Sequence, residues 1–146
     1  MPAGYSGTPL AKKLGIKEGA AVLLVGAPED FEDTLDDLPD DAAVARSARA
    51  KGPFDVIVFF TKARRAFEQA LPGLRERMKP ACGLWVAWPK RASKVPTDMT
   101  EDVVREVALP TGLVDNKVCA IDEVWSGLRL VIRVSERRSA GLPRRG

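Results

Sequence analysis

Three runs of continuous apolar residues punctuate the chain: "AAVLLVG" (20–26), "FDVIVFF" (54–60) and "LWVAW" (84–88). Each has the length of a strand and no polar alternation, the pattern of strands buried on both faces of a parallel sheet. Between them the apolar spacing becomes helical. Phe31, Leu35 and Leu38 fall four and three apart in "PEDFEDTLDDL", and Phe67, Leu71, Leu74 and Met78 fall four, three and four apart in "TKARRAFEQALPGLRERM". Pro72 is expected to kink and restart that second helix, because an interior proline costs ~3 kcal/mol. "AAVARSARA" reads as a weaker strand that "KGP" ends.

The flanks complete the order. "GTPLAKKLGIKEG" predicts a short helix with Thr8 as cap, Pro9 at its first helical position, Leu10 and Leu14 on one face and Gly15 closing it. "KPACG" reads as a turn and "PKRASKVPTD" as a loop, while "DMTEDVVREVAL" predicts a helix that Asp98 caps, with Glu101 three residues on. "KVCAIDEVW" and "LRLVIRV" predict a hairpin about a two-residue Ser126-Gly127 loop. That loop sets Asp122 diagonal to Arg129 and Arg133 as a cross-strand ion pair and places Glu123 on the face of Ile121 and Trp125. Strand and helix alternating, then a hairpin, predicts an α/β fold: three layers about a mostly parallel sheet ending in an antiparallel hairpin. Residues 1–134 form a single domain, and the basic tail 135–146 is expected to be disordered.

At 146 residues the chain can bury a full core without staples. No apolar run approaches the ~18 residues of a membrane span, and the N-terminus lacks the pattern of a secretory signal, so a cytoplasmic location away from membranes is expected. There is no histidine. The usual neutral-pH base is therefore missing, and Cys82 and Cys119 lack the partners of a zinc site or thiol nucleophile. The net charge of +3 conceals a segregation, since residues 29–41 carry eight carboxylates and no base. A solvated helix face accounts for that block more simply than a metal site, because it lacks the alternating ligands and glycine of a calcium loop.

The element order, with "LGIKEGAAVLLVG", "PFDVIVFF", "MKPACGLWVAW" and the hairpin "VCAIDEVWSGLRLVIRV", resembles the S-adenosylmethionine-dependent methyltransferases. The resemblance implies a shortened Rossmann-like, methyltransferase-like sheet, because only about 28 residues separate the strands corresponding to that family's first and fourth. "GYSGTPLAKKLGIKEG", "WVAWPK", "VPTDMTEDVVREV" and "WSGLRLV" resemble more closely a family of small bacterial proteins, especially actinobacterial, classed as a domain of unknown function. That second resemblance implies no mechanism.

Two places compete as a site. Where a cofactor turn needs glycines, Gly26 is followed by Ala27, Pro28, Glu29 and Asp30, so a phosphate is disfavoured. The family's ribose-binding acid has no counterpart in "VARSARAKG". Basic loops follow two successive strands instead: Thr61, Lys62, Arg64 and Arg65 after the first, then Lys90, Arg91 and Lys94 after the second, with Trp88 as a stacking or core residue. Lys12 and Lys13 join this rim if the first helix crosses it. These features favour a non-catalytic binding or regulatory module that uses no cofactor and holds an anionic small molecule or a partner protein at the basic edge. Methyl transfer with a donor over Gly26 is the alternative. Nucleic-acid binding through the edge and the tail arginines Arg137, Arg138, Arg144 and Arg145 is another.

Overall fold

The computed structural model describes residues 9–35, 38–47 and 49–133, so Thr8 and the tail from 134 onward lie outside the described residues. Six strands form one sheet in the order β2-β1-β3-β4-β6-β5. Strand β1 (Ala21–Val25) pairs in parallel with β2 (Ala43–Ala45) on one side and with β3 (Phe54–Phe60) on the other. Strand β4 (Met78–Pro89) is parallel to β3, and β6 (Trp125–Ile132) runs antiparallel between β4 and the edge strand β5 (Leu113–Ala120). The three apolar runs are thus the adjacent inner strands, buried on both faces. Val22, Leu24, Val58 and Trp85 share one core with α1 (Leu10–Lys13) and α2 (Phe31–Leu35). Leu23, Ile57, Leu84 and Val86 share the other with α3 (Arg64–Glu76) and α4 (Glu101–Ala108). The result is a three-layer α/β fold about a mostly parallel sheet that ends in an antiparallel hairpin.

Several local expectations are corrected. Helix α3 continues through Pro72, which lies on the exposed side away from the Phe67, Leu71 and Leu74 stripe. "KPACG" is no turn. Strand β4 begins at Met78 opposite Phe54, and an irregularity in the β3 pairing carries the register from there to Val56–Gly83. Pro9 is the N-cap of α1, one position before its first helical residue. The hairpin turns at Ile121–Val124, where Asp122 Oδ1 accepts from the amides of Val124 and Trp125, both at 2.8 Å. Ser126 and Gly127 lie inside β6, paired with Ala120 and Cys119. The aspartate side chain supplies the turn that the Ser-Gly dipeptide suggested. Among the described residues no ion pair of Asp122 across the hairpin is seen, and Glu123 is an exposed turn residue. Arg129 instead lies over Gly83, where an added Cβ would run into its guanidinium.

Candidate functional site

The chain leaves β1 through α2 to the outer strand β2, then returns past β1 to β3. Because α2 packs on one face of the sheet and α3, which follows β3, on the other, the carboxyl ends of β1 and β3 lie at a topological switch point. In open α/β sheets ligands bind there. Gly26 ends β1 with φ +71°, and a Cβ on it would lie 2.8 Å from the Phe60 carbonyl oxygen. The glycine is thus required twice, for its left-handed backbone and for the close approach of the β1 turn to the end of β3.

Arg46, just past β2, crosses to this turn. Its Nη2 donates to the carbonyls of Pro28 at 2.8 Å and Glu29 at 3.2 Å, and Nη1 donates to that of Ala27 at 3.4 Å. Nε and Nη2 bond the two carboxylate oxygens of Glu32 at 2.8 and 2.5 Å. That side-chain bond holds the Glu32 carboxyl below its ordinary range and outweighs slight desolvation. A carboxylate therefore does stand at the end of β2, contributed by α2. Sequence reasoning missed it because the β1–β2 register, not the spacing along the chain, brings residue 46 to residue 32.

The basic loops meet on the adjacent strands, where Phe60 pairs with Ala87 and the Thr61 amide bonds the Ala87 carbonyl at 3.0 Å. Thr61 is buried, and its hydroxyl bonds the backbone of Ala63 as both donor and acceptor. The expected cap is redirected: Asp98 Oδ1 accepts from the Arg64 amide at 2.7 Å, so it caps α3, while Thr100 caps α4 through the Val103 amide. Thr97 Oγ1 also donates to the Lys62 carbonyl at 2.6 Å. Hence the amide that opens α3 is engaged by Asp98, and the Arg64 guanidinium is committed to Glu68 and Glu106. Lys62, Arg65, Lys90, Arg91 and Lys94 make no ion pair among the described residues. Trp88, 7% exposed, belongs to the α3–α4 core.

The remaining candidates lie elsewhere. Lys12 lines a groove of about 590 Å³ with Pro9, Lys17 and Pro39, beside the segment that leads into β1, and Lys13 acts on Cys119 of β5. Burial pushes the Cys82 thiol up to about 12, which removes it as a nucleophile. Among the described residues no three histidine, cysteine or acidic side chains are grouped to hold a metal, and no helix is long and apolar enough to cross a membrane.

No protein-family model and no curated protein matches this sequence. Solved structures do match. A SAM-dependent methyltransferase from Aquifex aeolicus superposes with a TM-score of 0.58 at 17% identity, covering 84% of this chain and 87% of that one. Aeropyrum pernix fibrillarin, solved with natively bound S-adenosyl-L-methionine, gives 0.57 at 15% identity over 88% and 70%. Magnesium protoporphyrin IX methyltransferase from Synechocystis, with bound SAM, gives 0.55 at 8% over 84% and 74%. These likenesses overturn the expectation of a non-catalytic module, because the frame is one shared with methyltransferases. Phosphate repulsion at the β1 turn does not bear on a donor that carries no phosphate, and a carboxylate, Glu32, does stand beside Arg46 at the end of β2.

Proposed function

We propose that this protein is an S-adenosylmethionine-dependent methyltransferase, with the donor over Gly26 at the switch point and an anionic acceptor held at the neighbouring basic rim. The single observation that carries the reading is the topological switch point, where Gly26 closes against Phe60, in a sheet of methyltransferase-like order. The residues present fit the donor in kind. The carbonyls of Ala27, Pro28 and Glu29 suit an ammonium group, and the Glu32 carboxylate suits ribose hydroxyls or a cation. When bound, the donor supplies an electrophilic methyl group on a sulfonium. The unpaired Lys62, Arg65, Lys90, Arg91 and Lys94 orient an anionic acceptor beside it.

Isothermal titration calorimetry with S-adenosylmethionine and S-adenosylhomocysteine tests the donor half. Micromolar binding is expected, and silence for both at millimolar ligand overturns the reading. For the acceptor half, retention on a phosphate-bearing matrix should fall with salt and fall further in a Lys62→Ala, Lys90→Ala double variant. Binding of single-stranded RNA with a steep salt slope would point to a nucleic-acid acceptor.

A further inference from the structure

The turn after β1 presents three backbone carbonyls and one carboxylate toward the end of β2, and Arg46 bonds all four groups. We infer that this corner is a cation-accepting subsite for the ammonium end of the methyl donor, and that Arg46 is its resident, displaceable occupant. The inference rests on the donor reading above and adds a residue that competes with the donor.

The argument is one of matched chemistry. A guanidinium is a planar cation with five N–H donors and no acceptor, so the groups that satisfy it define a subsite for cations rich in donors. The donor's α-ammonium group belongs to that class, whereas a phosphate does not, and the α-carboxylate on the same carbon must face away from the corner. Pro28 offers no amide there, and Glu29 and Asp30 add negative charge, so the whole turn opposes an anion. Arg46 is also poised to leave. Its side chain and that of Glu32 are each 37% exposed, so water reaches both partners and the freed guanidinium is rehydrated readily. Carbonyl oxygens vacated by the arginine would be re-satisfied by the incoming ammonium, whereas an empty corner would have to take up water.

A two-state occupant lowers the apparent affinity by the fraction of molecules in which the corner is open. Arg46→Ala should therefore bind S-adenosylmethionine about tenfold more tightly in calorimetry, while Glu32→Ala binds it more weakly. A purely structural ion pair would not move the two affinities in opposite directions. Adding guanidinium at tens of millimolar to Arg46→Ala should restore the weaker binding and leave the wild type unchanged. Unchanged or weaker donor binding in Arg46→Ala, with the wild type still binding, overturns the inference and spares the donor reading. Absence of binding in the wild type and in both variants overturns the two together. Circular dichroism and Tm of each variant confirm that the sheet is intact.

Discussion

The indole Nε1 of Trp85 donates to the carbonyl of Leu14 at 3.0 Å, joining the inner strand β4 to the end of the first helix across 71 positions of sequence. Both side chains are fully buried, so this bond spares a polar pair in the driest part of the α1–α2 core. Trp85→Phe leaves the Leu14 carbonyl without its partner and vacates some volume. The expected loss is about 2–4 kcal/mol in urea unfolding at an unchanged m-value. Amide exchange should accelerate in residues 10–16 before it does in β4.

Gly26 and Gly15 separate two costs. Both have positive φ, +71° and +84°, but a Cβ at Gly15 meets nothing within 4 Å while one at Gly26 meets the Phe60 carbonyl. Gly15→Ala is expected to cost about 1 kcal/mol, for the left-handed backbone alone. Gly26→Ala should cost roughly 1–3 kcal/mol more and separate the ends of β1 and β3. Thermal unfolding of the two variants checks the order: at about 2–4 °C per kcal/mol, the Gly26 variant melts lower.

Asp98 and Thr100 stand two residues apart and cap different helices. Asp98→Ala should lose about 0.5–2 kcal/mol and raise exchange at the Arg64 amide at the start of α3. Thr100→Ala should lose a similar amount and expose the Val103 amide of α4. Measured by hydrogen exchange, each variant frees its own amide and leaves the other protected.

Asp55 sits beside the start of β1, where its Oδ2 accepts from the Ala21 amide at 2.8 Å and from Lys79 at 3.1 Å. Partial burial pulls its pKa upward, but the Ala21 bond and Lys79 outweigh this and leave it lowered. A carboxyl lowered in the folded state contributes stability that is present above its unfolded pKa and lost as pH falls through the folded value. The denaturation midpoint of the wild type should therefore drop below about pH 4 more steeply than that of Asp55→Asn, which is less stable at neutral pH. Urea titrations at pH 7 and pH 3 make the comparison.

The inner sheet was legible because Val22–Leu24, Phe54–Phe60 and Leu84–Trp88 are buried on both faces, and burial leaves its mark on composition. What escaped was decided by partners distant in sequence. Asp98 reads as a cap for the helix that follows it, yet its carboxylate turns to an amide 34 residues earlier. Ser126-Gly127 has the composition of a tight turn, but Gly127 is small because Ile121 and Trp85 crowd it, at 2.9 and 3.1 Å from an added Cβ. In the candidate site, the basic edge was visible as a run of lysines and arginines. The corner built by Arg46 and Glu32 was not, since two oppositely charged surface residues 14 positions apart carry no pattern until the strands pair.

Tethering Thr97 and Asp98 to the Lys62–Arg64 segment has a mechanical result. Lys62 and Lys94 lie on separate loops that this tether joins. On the acceptor reading proposed above, an anion meets loops already fixed to one another and sacrifices little freedom in assembling them. Cutting the tether would leave every cation in place while blurring the geometry among them.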